Sequence, residues 1–481
     1  MNYRFIVKSL GALFVIEAVF MLPVLFVSIS YNERDAPAFL LSIAILTAVS
    51  IIMNLFKPKK ADIYLRDGFA LVGLGWLLCA LFGAMPYYFS GAASAVDAIF
   101  ESVTGFSTTS SSILRDVESL PKGLTLWQAL TNWMGGMGVL VLMIAIMPSV
   151  KANSIHIMHA EAPGPYIDKF TPRIGSVAKT LYTIYVLFTA MEVLLLKIGG
   201  MPLFEAIVHS LSTVSTGGFS NRNLSIGAYN SVYIETVITV FMLLCGVNLS
   251  LYRIAWQGKI KTALKDAELH LFFLIIIISI LLITGNLVIE NKEPLNESIR
   301  HAVFQVSSMM TSTCFSSVDF NNWPLFSKAI LIFNMFIGGC AGSTAGGLKC
   351  IRILLLLKVI RNDLIKIYHP NVVHAVRLNG KPVDEELLSG VKTYFIIYIF
   401  VIAFSTLIVS LNGFDIITSF SACLSAVGNM GPGFGMIGPR GHYADFSVMS
   451  KYIISVCMLL GRLEIYPILL LCIPSFWRRN R

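Results

Sequence analysis

Charge is what this chain of 481 residues has least of: Asp, Glu, Lys and Arg make up 13% of it, against about 25% in a soluble domain. That scarcity excludes a solvated globular surface, and with 56% hydrophobic residues the class is integral membrane protein. The eight Cys (79, 245, 314, 340, 350, 423, 457 and 472) fall mostly in hydrophobic stretches with no paired spacing, which excludes a disulfide framework or a Cys-based metal site. No small-residue cleavage site follows the first hydrophobic run, about 5–29, so it reads as a spanning helix and not as a removable signal. The polar stretches are too short for a large soluble domain.

A net charge of +9 would suit a nucleic-acid partner, but its distribution argues against one. With the N-terminus placed in the cytoplasm, the inner segments (about 1–8, 57–67, 151–179, 253–270, 358–392 and 478–481) hold about 23 of the 36 Lys and Arg. The asymmetry is topological. It puts both termini in the cytoplasm.

Four times, a short apolar helix is followed by a small-residue loop and then by another hydrophobic run. The loops are Ser107-Thr108-Thr109-Ser110-Ser111, Ser215-Thr216-Gly217-Gly218, Thr311-Ser312-Thr313-Cys314-Phe315 and Asn429-Met430-Gly431-Pro432. They lie roughly 100 residues apart, a spacing that fits a hairpin of two spanning helices with a re-entrant loop between them. The expected architecture is an all-α integral membrane protein: four tandem helix–pore-loop–helix repeats around a pseudo-fourfold pore, preceded by two extra transmembrane helices, about ten spans in all. The divisions are 1–60 for the leading pair, then 61–150, 151–255, 256–365 and 366–481.

Outward-going helices are expected at about 68–90, 177–199, 270–289 and 391–411, and returning ones at about 124–148, 230–252, 325–357 and 448–474. The short helices between them, about 94–106, 202–214, 296–310 and 414–427, cannot cross a core of about 30 Å and must turn back. Each carries an acid near its start, Asp97, Glu205, Glu297 or Asp415, as N-terminal capping requires. Their C-terminal, partially negative ends then point at the pore axis, where a cation would sit.

At the loop centres the backbone must turn its carbonyls inward, which favours glycine. Gly217 and Gly431 satisfy this, and Ser110 and Cys314 stand at the equivalent places in the first and third copies. The hydroxyls of Thr108, Thr109, Ser215, Thr216, Ser312 and Thr313 are expected to add oxygens for a weakly hydrated monovalent cation. No carboxylate lies at a centre, which argues against a calcium-type acidic ring.

Within the third returning run, Gly338-Gly339-Cys340-Ala341-Gly342-Ser343-Thr344-Ala345-Gly346-Gly347-Leu348-Lys349 cannot stay helical, since each glycine costs about 1 kcal/mol relative to alanine. Non-helical backbone at that depth lines a cavity or is covered by protein, so residues 338–349 read as a flexible gating bar under the filter. Lys349 reads as an interface anchor. Arg462, embedded in the last span, is expected to bond the carbonyls of the bar or to set a positive barrier, and Glu464 is not its obvious partner. A serine-protease reading of Gly342-Ser343-Thr344 would need a histidine beside the serine, and the histidines lie mostly in loops or short helices.

These residues resemble the Trk/Ktr/HKT superfamily of potassium transporters, nearest its TrkH branch, over essentially the whole chain. The resemblance rests on Phe100-Glu101-Ser102, Trp133 to Gly138, Ala162-Pro163-Gly164-Pro165, Thr171-Pro172-Arg173, Gly217 to Ser220, Gly338 to Lys349, Gly431-Pro432-Gly433 and Gly461-Arg462-Leu463-Glu464. It implies gated uptake of potassium across a bacterial inner membrane by a homodimer with one pore per subunit. It also implies a cytoplasmic nucleotide-binding regulator, an RCK-type ring like TrkA, so that any nucleotide acts only through that partner. Carried over by position, K⁺ would lie against Thr108 and Thr109, Ser215 and Thr216, Ser312 and Thr313, and Asn429 and Met430. Ser110 and Cys314 depart from the family's usual glycine. In plant relatives serine at the first centre accompanies sodium permeation, so a sodium-conducting or weakly selective pore is the alternative.

Overall fold

A computed structural model of the protein describes residues 1–56, 65–138, 174–369 and 375–477. The Ala162-Pro163-Gly164-Pro165 and Thr171-Pro172-Arg173 motifs, most of the inner segments 57–67 and 151–179, the last turns of the first returning helix and residues 478–481 lie outside the described residues. Within them the regular secondary structure is helical, apart from one antiparallel hairpin of β1 (Arg377–Leu378) and β2 (Lys381–Pro382).

Six described helices are long and apolar enough to cross a membrane: Tyr3–Ser30, Ala36–Asn54, Leu65–Phe89, Ala178–Ile198, Ala267–Asn291 and Glu385–Asn412. They are the leading pair and the four outward-going helices. The leading helices approach closely, and the Ser50 hydroxyl donates to the Gly11 carbonyl at 2.7 Å. On the far side of the second, Leu40, Leu41, Ile51 and Ile52 are exposed, an apolar face suited to acyl chains and not to water.

The short helices are Ala95–Phe106, Leu203–Val214, Leu295–Met310 and Ile416–Gly428. At 12 to 16 residues they span about 18–24 Å. Ser94 caps the first by accepting from the Asp97 N–H, and Asp415 caps the fourth by accepting from the Thr418 N–H. Pro202 and Pro294 occupy the cap positions of the other two, with Glu205 and Glu297 in their first turns.

The returning helices differ from expectation. The hydrophobic runs predict continuous helices at about 230–252 and 448–474, with a break only in the third copy. Instead Val232–Gly246 stops and the chain bends by 88° into Leu249–Trp256. Val247 is extended and does not continue the turn, and the Asn248 side chain accepts from the Ser250 N–H, restarting a helix in a new direction.

The third returning helix, Leu325–Ile337, gives way to residues 338–349 before Cys350–Tyr368 begins. The fourth, Val448–Arg462, halts where Glu464 and Ile465 take φ of 51° and 69°, ahead of Tyr466–Cys472. The described part of the first, Lys122–Gly136, also ends early. At 13 to 15 residues these helices reach about 20–22 Å, short of a hydrocarbon core of about 30 Å.

Candidate ion site

Each short helix ends in a turn built on one plan. In the first, Thr108 N–H donates to Gly105 O, and the N–H groups of Thr109 and Ser110 both donate to Thr104 O. In the second, Thr216 bonds Thr213, while Gly217 and Gly218 share Ser212 O. In the third, Ser312 bonds Met309, while Thr313 and Cys314 share Ser308 O. In the fourth, Asn429 bonds Ala426 and Met430 bonds Ser425. The equivalent triplets are therefore 108–110, 216–218, 312–314 and 429–431.

This corrects the register of the second copy. Ser215 is the helix C-cap, matching Ser107 and Thr311, and the partner of Ser110 and Cys314 is Gly218, not Gly217. The backbone agrees: Thr108, Thr216, Ser312 and Asn429 have φ between 51° and 57°, and Ser110, Gly218 and Cys314 have φ of 56°, 94° and 58°. Neither Gly217 nor Gly431 is left-handed, contrary to expectation. Serine and cysteine thus keep the shape that Gly218 has, at a strain of about 1–3 kcal/mol each.

The hydroxyl protons are engaged within the turns. The hydroxyls of Thr108 and Thr216 donate to the carbonyl just before them, at 2.7 and 2.6 Å. Thr109 pairs with Ser107 and Thr313 with Thr311, while the Ser215 hydroxyl bonds back to Leu211 O. They brace the turns. What remains is backbone: the carbonyls of Thr108, Thr109, Thr216, Gly217, Ser312, Thr313 and Asn429 accept no hydrogen bond from the described residues, although all seven residues are buried. Buried carbonyls are paired with protein or ordered water about nine times in ten, so seven without a protein partner in four matching turns form an acceptor-rich site whose chemistry suits a cation.

The turns meet one another. A Cβ on Gly218 would lie 1.8 Å from Thr313 O, and one on Gly431 would lie 2.9 Å from Thr109 O. Ser111 donates to Gly431 O at 2.9 Å, and the Asn429 amide donates to Thr109 Oγ1 at 3.2 Å and to Met458 O at 2.7 Å. A hollow of about 140 Å³ is lined by Ser110, Gly218, Cys314 and Gly431, the last residue of every triplet.

Residues 338–349 form a strap stitched to three of the turns' surroundings. Gly346 N–H donates to Ser312 Oγ at 2.6 Å, Gly347 N–H to Gly428 O at 2.8 Å, and the Thr344 hydroxyl to Val214 O and Cys245 O at 3.3 Å each. Gly338 and Gly347, with φ of 74° and 83°, pack backbone to backbone, and the Gly339 carbonyl accepts from Cys350 N–H. A Cβ on Gly346 would fall 2.1 Å from Gly428 O, so close approach explains that glycine.

Arg462 donates to Thr344 O at 3.0 Å and to the carbonyls of Gly135 and Gly136, joining the strap to the end of the first returning helix. Glu464 pairs with Arg352 instead, consistent with its spacing from Arg462. Lys349 is no interface anchor: it is 8% exposed and its ammonium donates to Ala345 O. The Ser343 hydroxyl donates to Cys340 O, not to a histidine.

Sequence reasoning missed two supports of the turns. The Asn132 amide donates to Ser110 Oγ at 2.7 Å, and the Tyr443 hydroxyl donates to Gly431 O at 3.4 Å. Neither belongs to a motif. Glu101, noted only within a resemblance, holds the exit of the first turn by accepting from Ile113 N–H and from the Gln128 amide.

Residues 36–479 match the family model described as TrkH, cation transport protein. The chain is 36% identical to the Trk system potassium uptake protein TrkH of Salmonella typhimurium over 488 residues, covering 99% of this chain and all of that one. It is 33% identical to TrkG of Escherichia coli K12 over 484 residues, covering 99% of each. The crystal structure of the potassium transporter TrkH from Vibrio parahaemolyticus superposes with a TM-score of 0.90 at 31% identity, over 99% of this chain and 100% of that one.

Proposed function

Because this chain belongs to the TrkH cation transport protein family, we propose that it carries potassium into the cell through one pore whose four walls are the triplets 108–110, 216–218, 312–314 and 429–431. It is a multi-pass membrane protein of a transporter family and not an enzyme. The observation that carries the reading is the set of buried carbonyls left without hydrogen-bond partners among the described residues. Carbonyl oxygens replace the water around a weakly hydrated cation at little cost, and four matched turns supply them from all sides. The strap 338–349, with Arg462 across it, is the gate. The subunit works as a homodimer in a bacterial inner membrane with both termini in the cytoplasm, and a cytoplasmic nucleotide-binding ring regulates it.

A second reading has its own support. Ser110 and Cys314 hold left-handed backbone where Gly218 does so without strain, so two walls differ from the others and favour sodium passage or weak selectivity. Paired rubidium and sodium tracer flux into proteoliposomes, with and without the cytoplasmic partner, tests both. Rubidium uptake well above sodium supports the potassium pore, comparable rates support the second reading, and uptake of neither above empty vesicles overturns both.

A further inference from the structure

The Glu268 carboxylate has no part in that reading, yet it is 1% exposed and lies at the start of the helix Ala267–Asn286. Its Oε1 accepts from two backbone N–H groups: Ala341 within the strap at 2.7 Å, and Ile351 at 3.0 Å, just beyond the strap's end. One oxygen therefore holds both sides of the segment between them. Ile351 is in the first turn of Cys350–Tyr368, whose N–H groups lack helical partners and favour a negative acceptor. Loss of this one buried acceptor would strand both backbone donors at once.

The same helix start is tied to the hairpin. Asp266 caps it, Oδ1 accepting from Glu268 N–H at 3.0 Å and Leu269 N–H at 3.1 Å. The Asn379 amide at the hairpin tip donates to Asp266 Oδ2 at 2.7 Å, and Asn379 Oδ1 accepts from Ala267 N–H at 3.0 Å. A continuous set of bonds thus runs from an exposed hairpin to the strap.

We propose that Glu268 is a positioning residue that latches the strap in its seat, and that the hairpin 377–382 sets the latch through Asn379 and Asp266. The proposal rests on the reading of the strap as a gate. Displacing the hairpin moves the helix start, withdraws the carboxylate and frees Ala341 and Ile351 together.

The test uses full-length protein without its partner. Glu268→Ala raises rubidium flux about tenfold or more, whereas Glu268→Gln, which keeps an acceptor oxygen, stays within about twofold of wild type. Asn379→Ala, an exposed change that leaves the carboxylate in place, gives a smaller rise of about two- to threefold. The rubidium-to-sodium ratio stays at its wild-type value throughout. Amide exchange at Ala341 and Ile351 in purified protein quickens in Glu268→Ala and Asn379→Ala, and reads the latch whether or not the protein conducts. Wild-type vesicles without flux would therefore count against transport alone. Unchanged exchange in Asn379→Ala, or raised flux with a lost ratio in Glu268→Ala, overturns the latch.

Discussion

Asn132 and Ser110 are joined by a 2.7 Å hydrogen bond from amide to hydroxyl, and the same amide lies 2.2 Å from where a Cβ on Gly217 would fall. One side chain on a returning helix thus packs against two turns at once.

Ser110→Gly removes the acceptor of that bond and the left-handed strain together. Strain relief of about 1–3 kcal/mol is offset by about 1 kcal/mol for the lost bond and a similar entropic cost of glycine, so stability changes little. The expected change is in selectivity: the rubidium-to-sodium flux ratio rises about two- to fivefold, by about 0.4–1 kcal/mol. An unaltered ratio would leave Ser110 without a role in ion choice.

Gly218→Ala should prevent assembly of the turns. Its Cβ would meet Thr313 O at 1.8 Å in a backbone at φ 94°, a clash with main chain that no rotamer relieves. Loss of more than about 3 kcal/mol is expected, seen as failure to purify as a monodisperse species. Gly91→Ala is the control: φ is 75° but nothing lies within 4 Å, so only the strain of about 1 kcal/mol remains.

Two ion pairs should differ sharply in weight. Arg115–Asp445 has side chains 69% and 47% exposed, and Arg115→Ala should shift stability by less than about 1 kcal/mol. Arg352–Glu464 has side chains 5% and 17% exposed, and Arg352→Ala should cost about 3–5 kcal/mol by stranding Glu464. The Arg352→Ala/Glu464→Ala double variant then loses less than the sum of the single ones, measurable by thermal unfolding in detergent.

Arg462→Lys should fail where charge alone would succeed. A guanidinium reaches Thr344 O and the Gly135 and Gly136 carbonyls from one planar fork, whereas a single ammonium cannot serve both sides. Partner-free rubidium flux is expected to rise about three- to tenfold in Arg462→Lys as in Arg462→Gln. Wild-type flux in the lysine variant would show that charge, not the fork, matters.

The short helices were legible because local chemistry marks both their ends. Expected at about 94–106 and 202–214, they run Ala95–Phe106 and Leu203–Val214. The second turn misled because Thr216-Gly217-Gly218 offers two glycines, and only the shared bond to Ser212 O selects between them. The break after Gly246 carries one glycine and no proline, too little to announce a bend of 88°. The roles of the turn hydroxyls depend on rotamers, and that of Asn132 on a contact across 22 residues, so composition and spacing are silent on both.

The unclaimed carbonyls bear on cohesion as well as on passage. On the proposed pore reading, an ion held among these oxygens offsets the repulsion between them, so it doubles as mortar for the walls it passes. Thermal midpoints should climb with rubidium or potassium concentration by mass action, about 2.7 kcal/mol at a hundredfold excess over the dissociation constant, and an impermeant organic cation should not reproduce the climb.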